Sequence, residues 1–160
     1  MKWNIELRYE VFDHFDQLDS NAQIILQHAA NACHLAYAPY SKFKVGAAIL
    51  TENQRIIIGS NQENASYPCG ICAERTALHQ YHIVASKEKI LTLAVTTERT
   101  LKETAFPCGF CRQVMTETES NNGAPIRLIV GQIHGKSYVF ESCSQLLPFS
   151  FHPDLLLATN

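Results

Sequence analysis

No stretch of this 160-residue chain approaches the roughly 20 consecutive apolar residues of a membrane-spanning helix, which argues against a membrane protein. The opening Met1-Lys2-Trp3-Asn4-Ile5-Glu6 soon meets Arg8, Glu10, Asp13 and Asp16, so the apolar core of an export signal is missing too. Runs of like charge are also missing. Thirteen basic and fifteen acidic side chains leave a formal net charge of -2, with no basic stripe carrying interleaved aromatics. Nucleic acid and anionic membrane surfaces are therefore poor partners, and a small molecule is the better substrate class. Internal repeats, low-complexity tracts and interdomain linkers are absent as well. At 46% hydrophobic and 18% charged, the chain is long enough for one sizeable core and too short for two. A single domain over residues 1–160 is expected, with an N-terminal extension at about 1–20 that carries Trp3, Tyr9, Phe12 and Phe15 and packs on the main body.

What the chain does have is cysteine, six in all. Without an export signal, these predict a reducing, cytoplasmic setting in which clustered thiols bind metal rather than form disulfides. Cys33 and Cys143 stand alone and read as small packing residues. The other four form two pairs, Cys69-Gly70-Ile71-Cys72 and Cys108-Gly109-Phe110-Cys111, and the first is followed at once by Ala73-Glu74.

Hydrophobic spacing predicts a helix from Ser20, capped by Ser20-Asn21, to about Ala36, with Ile24, Ile25, His28, Ala29, Ala32 and Leu35 on its apolar face. Phe43 to Thr51 and Arg55 to Asn61 read as strands of a hairpin turning at Glu52-Asn53-Gln54. Beyond these come a helix from Ala73 to about Val84, a strand from Ile90 to Thr96, a helix from Cys108 to about Glu119, a strand from Ile126 to Val130, and a fifth strand at Tyr138-Val139-Phe140. Alternation of helix and strand after a hairpin points to an α/β fold with helices over a largely parallel portion of a mixed sheet.

Cys108 and Cys111 lie three apart on one helical face, and Cys72 falls at the mouth of the preceding helix. Two helix N-termini turned toward one ion favour thiolates through their partial positive ends. Three thiolate ligands leave one tetrahedral position of zinc open to water, which is the arrangement of a catalytic centre, whereas a fourth cysteine closes the site. Cys69 is the competing fourth ligand. Against it, the interval between the pairs exceeds zinc-ribbon spacing, and Glu74 beside the metal has no structural purpose. A redox role for the first pair leaves the second pair and Glu74 unexplained. Arg75, one turn from Cys72, reads either as a donor to the sulfurs or as a solvated helix arginine, and spacing does not choose. The histidines lack paired ligands and read as ordinary helix residues.

Cys72-Ala73-Glu74-Arg75-Thr76-Ala77 and Pro107-Cys108-Gly109-Phe110-Cys111-Arg112-Gln113 resemble the cytidine deaminase superfamily. Ala36-Tyr37-Ala38-Pro39-Tyr40-Ser41-Lys42-Phe43-Lys44-Val45-Gly46-Ala47-Ala48 and Asn61-Gln62-Glu63-Asn64-Ala65 narrow the likeness to the small nucleoside cytidine deaminases, over roughly residues 21–157. That resemblance implies a three-layer α/β/α fold with a five-stranded mixed sheet. It further implies one Zn2+ per chain on Cys72, Cys108 and Cys111, with Glu74 moving protons from water to the ring nitrogen and the departing amine. By the same likeness, Asn61 and Glu63 meet the sugar hydroxyl, the Ala73 backbone holds the base carbonyl, Phe43 lines the ring pocket, and Phe151 reaches the base in a neighbouring subunit of a homotetramer with shared active sites. Phe149 competes with Phe151 for that last assignment. Hydrolytic deamination of cytidine and 2'-deoxycytidine in pyrimidine salvage is the implied activity. Ser60, Gln62 and Cys69 depart from the usual residues at their positions, which bears on nucleoside preference more than on the reaction.

Overall fold

Gly46-Ala47-Ala48 and Gly59 set how closely helices can lie on the sheet, because small residues on a strand let a helix backbone approach. The computed structural model describes residues 1–157. In chain order these form β1 (Glu10–Phe12), α1 (Ser20–Ala32), β2 (Val45–Thr51), β3 (Ile56–Ser60), α2 (Ala73–Val84), β4 (Ile90–Thr97), α3 (Gly109–Asn122), β5 (Arg127–Gly131), β6 (Ser137–Phe140) and a single-turn α4 (Asp154–Leu157). The strands make one mixed sheet in the order β1-β6-β5-β4-β2-β3. No helix among the described residues is long and apolar enough to cross a membrane.

Helices cover both faces, giving three layers. Ala22, Ile25, Leu26 and Ala29 of α1 pack with Ala48, Leu50, Ala94, Ile129 and Val139 on one face. On the other, Ala73, Ala77, Leu78 and Tyr81 of α2 and Met115 of α3 pack with Ala47, Ile49, Leu93, Val95, Leu128 and Val130. The central strands are consequently buried on both sides and read as near-continuous apolar runs.

The sheet has six strands rather than five. The extra one is β1, which runs antiparallel to β6 with Glu10 opposite Val139 and Phe12 opposite Ser137. The N-terminal extension thus becomes part of the sheet from Glu10 onward, with Tyr9, Phe12 and Phe15 packed on the body as expected, while Trp3 is exposed. Parallel pairing is confined to β4 and β5, joined by the α3 crossover, and β2 pairs antiparallel with both β3 and β4. The parallel portion is therefore smaller than alternating helices and strands suggest.

Two helix ends also differ from expectation. Asp19, not Ser20-Asn21, caps α1, its carboxylate accepting from Ala22 N at 2.9 Å. That helix stops at Ala32 and tightens into a 3-10 turn over Cys33–Leu35. Its buried face is Ala22, Ile25, Leu26, Ala29 and Ala32, leaving Ile24 and Leu35 exposed. Cys108 is the N-cap of α3 rather than its first turn, and the helix runs to Asn122 before Gly123 stops it in the left-handed conformation at φ 65.

Gly59 seats α2 on β3. A Cβ there would lie 2.4 Å from Ala77 N and 2.5 Å from Ala73 O, both backbone atoms of the helix that carries Glu74. Gly59→Ala is expected to destabilise the fold by about 3 kcal/mol through overpacking, the upper part of the usual range. In a domain of this size that corresponds to a fall in Tm of roughly 6 to 12 °C, measurable by calorimetry. An unchanged Tm would mean that α2 can lift from the sheet without cost.

Candidate active site

Helix α2 starts immediately after Cys72, whose extended backbone (φ -77, ψ 157) makes it the N-cap, with Ala73 and Glu74 in the first turn. Cys108 has the equivalent place on α3 (φ -69, ψ 168), with Cys111 one turn further in. The two helix mouths meet, and the sulfurs of Cys72, Cys108 and Cys111 all lie within 4.8 Å of one another. The Cys108 to Cys111 sulfur separation is 3.5 Å. Tetrahedral zinc with Zn–S bonds of about 2.3 Å sets its sulfurs about 3.8 Å apart, so the cluster needs only small adjustments to hold the ion. Thiolates are the soft donors that suit zinc.

Cys69 stays outside this cluster. It is exposed at the end of the 3-10 turn Tyr67–Cys69, and among the described residues only the other three cysteines converge. The four-cysteine alternative therefore lacks its fourth ligand. Cys33 and Cys143 are fully buried, as packing residues are. Burial pushes the Cys33 thiol up to about 11 and the Cys143 thiol well above its ordinary value.

The Cys72 and Cys111 thiols shift in opposite directions. A hydrogen bond from Cys111, together with the nearby Arg75 charge, outweighs the cost of burial and brings Cys72 down to about 5. Cys111 is raised because it retains the proton it offers to the Cys72 sulfur. The Arg75 guanidinium donates to Gly70 O at 3.4 Å and lies 6.0 Å from the ring centre of Phe110. Its Nε is buried and has no hydrogen-bond partner among the described residues. Of the two readings of Arg75, solvated helix residue is thus the poorer description.

Glu74 is 4% exposed. Burial, reinforced by the charge on Cys72, pushes its carboxyl up to about 7 against hydrogen bonds from its own backbone N–H and from Cys111. A carboxyl in that range can both accept and release a proton near neutral pH.

Asn61 and Glu63 gather around the loop that bears Phe43. The Asn61 carboxamide accepts from Val45 N at 2.8 Å and donates from Nδ2 to Phe43 O at 2.8 Å, clamping the entry to β2. Glu63 accepts from Tyr40 N at 2.9 Å and Ser41 N at 3.3 Å, and the Ser41 and Tyr40 hydrogen bonds lower its carboxyl below the ordinary value. The backbone between them runs as a short ladder, with Gln62 bridged to Tyr37 on one side and to Ile71 on the other. One ladder therefore ties the Phe43 loop to the segment leading into Cys72. Sequence reasoning missed this anchoring, since the partners are 16 to 23 residues apart and no local spacing marks them. Two unusual residues complement each other here: Gln62 Nε2 donates to Ser60 Oγ at 3.0 Å and to Leu35 O at 3.2 Å.

Ala73 is fully buried, and as the first residue of α2 its N–H has no acceptor within the helix. Phe43 is half-buried. Phe151 is brought to α3 through its carbonyl, which accepts from Gln113 Nε2 at 2.8 Å, while its ring is 57% exposed. Phe149 is 94% exposed with φ 63. Neither ring is enclosed by the chain that carries it. Arg112 fixes the approach to Cys108 by donating to Pro107 O at 2.8 Å and Leu146 O at 3.2 Å.

Three converging thiolates beside a buried carboxyl, on an α/β/α frame, define a protein of the zinc-binding deaminase class. Residues 19–122 match the family described as the cytidine and deoxycytidylate deaminase zinc-binding region. The chain is 38% identical over 129 residues to a cytidine deaminase of Halalkalibacterium halodurans, a stretch covering 81% of this chain and 92% of that one. Its fold is similar to the crystal structure of a cytidine deaminase from Burkholderia pseudomallei (TM-score 0.71, 36% identity, 84% of this chain and 100% of the other). A cytidine deaminase from Mycobacterium tuberculosis is likewise similar (TM-score 0.66, 30% identity, 83% and 98%). This chain belongs to the cytidine deaminase family.

Proposed function

We propose that this protein is a zinc-dependent hydrolase of free cytosine nucleosides, converting cytidine and 2'-deoxycytidine with water to uridine and deoxyuridine and releasing ammonia. The observation that carries the reading is the buried Glu74 carboxyl in the same helical turn as a three-thiolate cluster formed by two helix mouths. Cys72, Cys108 and Cys111 hold the metal, which when bound supplies a Lewis acid that lowers the pKa of water toward about 7.

The chain's own groups do the rest. The Glu74 carboxylate takes a proton from the attacking water and delivers it to the ring nitrogen next to the reacting carbon, then takes the remaining proton of that oxygen and delivers it to the amine, which leaves as ammonia. Its near-neutral pKa suits a group that must change protonation state within each turnover. The Ala73 N–H, unused by the helix, donates to the base carbonyl. Phe43 lines the ring pocket, and Asn61 and Glu63 take the sugar hydroxyl with the capacity their loop contacts leave free. An amide keeps a second Nδ2 hydrogen and a second Oδ1 lone pair beyond the bonds seen here, and a carboxylate has about four acceptor sites. Arg75 positions charge beside the sulfurs and offsets the excess negative charge of three thiolates.

The reading extends to a single domain that works as a homotetramer in the cytoplasm, within pyrimidine salvage. The exposed rings of Phe149 and Phe151 support shared sites, since a partner subunit would both cover them and use one of them against the base.

The test is ammonia release from zinc-loaded protein across cytidine, deoxycytidine, cytosine and their phosphates. Turnover is expected for the two nucleosides and at most weakly for the base, which lacks the sugar hydroxyl that Asn61 and Glu63 engage. Losing one designed hydrogen-bonding partner in a specific site costs about 10^4-fold in kcat/KM. No reaction with any cytosine nucleoside would end the proposal.

A further inference from the structure

The first eleven residues alternate without a break: Met1, Trp3, Ile5, Leu7, Tyr9 and Val11 are apolar, and Lys2, Asn4, Glu6, Arg8 and Glu10 are polar. A period of two is the signature of a strand with one wet and one dry face. Only the last part of that strand is used within the chain. Glu10–Phe12 pairs with β6, and Tyr9 stacks on Tyr138 and Phe140 at ring separations of 6.0 and 5.5 Å. Residues 1–9 form no regular element, and their dry face is open, with Trp3 87%, Ile5 59% and Leu7 44% exposed. β1 is also an end strand of the sheet, so its outer edge has no partner among the described residues. A short open strand edge, continued by a segment that alternates apolar and polar residues, is a template for another strand.

We propose that the edge is covered by the same segment of a second copy, with the two N-terminal strands paired antiparallel about Leu7. The charges select both the occupant and the register. In an antiparallel pair, residues directly opposite share a face, so facing numbers must sum to an even value if dry meets dry. A sum of 10 sets Lys2 against Arg8, a sum of 12 sets Glu6 against Glu6, and a sum of 16 sets Arg8 against Arg8 and Glu6 against Glu10. A sum of 18 pairs Arg8 with Glu10 but engages only residues 6–12. A sum of 14 sets Glu6 opposite Arg8 twice, Trp3 opposite Val11, Ile5 opposite Tyr9, and Leu7 opposite itself, engaging residues 2–12. The segment is thus complementary to its own two-fold copy, as an isologous contact requires. The inward side agrees: Phe12, the one apolar residue on the wet side, is covered by the α1 layer of its own chain.

Full-length, zinc-loaded protein provides the test through sedimentation mass. Glu6→Arg and Arg8→Glu each place like charges opposite one another, and each is expected to at least halve the mass of the wild-type assembly. The double reversal restores the pair and with it the mass. The double reversal is expected to keep wild-type turnover, since it restores the assembly and neither residue touches the site. A second readout tests register in a Cys69→Ser background, which removes the exposed native thiol outside the cluster: with the thiol oxidant diamide, Leu7→Cys is expected to give a disulfide-linked dimer absent without it, and Ile5→Cys much less. Equal masses for the wild-type and the two single variants, failure of the double reversal to rescue, or cross-linking no stronger at residue 7 than at residue 5 would each overturn the proposal.

Discussion

Replacing Glu74 by glutamine is expected to lower kcat/KM for cytidine by about 10^4-fold, the upper end for loss of a general acid–base group, because one carboxyl serves several proton transfers in the cycle. Glutamine keeps the shape and fits a site that is 4% exposed, but it can neither accept the first proton nor deliver the later ones. Zinc content, read by elemental analysis, should remain at one per chain, because none of the three sulfurs is altered. Stability gives an independent readout in metal-free protein. With the carboxyl held up to about 7 against an ordinary 4.5, the folded state binds more protons than the unfolded state between those values. Stability of the wild type therefore falls, relative to the glutamine variant, as pH rises through that window. Retention of more than about a tenth of wild-type turnover would remove Glu74 from the chemistry, since even the weakest general acid–base contributions are about 10^2-fold.

Cys111→Ser is expected to abolish both zinc and activity. Cys111 is fully buried in the first turn of α3 and is the partner through which Cys72 is brought down to about 5. A serine hydroxyl is a hard, protonated donor at neutral pH and cannot replace a thiolate on zinc. Bound metal should fall below about a tenth of an equivalent per chain, in line with the loss of one of three protein ligands. Chelator-treated wild type should share that inactivity yet recover on zinc addition, which the variant should not. Cys69→Ser supplies the contrast, with zinc content and turnover unchanged. Zinc lost on mutation of Cys69 would instead restore the four-cysteine reading.

The three-cysteine cluster and the carboxyl beside it were legible in the sequence because their spacing is local. Cys72 with Glu74, and Cys108 with Cys111, each fall within one turn of a helix start, where sequence distance translates directly into geometry. The bounds of α2 were legible for the same reason, since the run from Ala73 to Val84 keeps one apolar face throughout. The end of α1 was not, because Leu35 continues the apolar periodicity although it is exposed beyond the last full turn. Nor was the sixth strand: three residues of β1 owe their structure to β6, more than 120 positions away, and to aromatic stacking that no local pattern announces. The clamp of Asn61 on the Phe43 loop escaped notice for a related reason, as a polar residue after a strand looks like a turn until the loop it holds is seen.

The cysteines come from two helix mouths with β4 between them in the chain. During synthesis Cys72 emerges well before Cys108 and Cys111, so a chain halted before residue 108 carries only one of the three sulfurs that converge here. The cluster is therefore complete only once the crossover has closed, and its convergence certifies that the α2, β4 and α3 segments have assembled correctly.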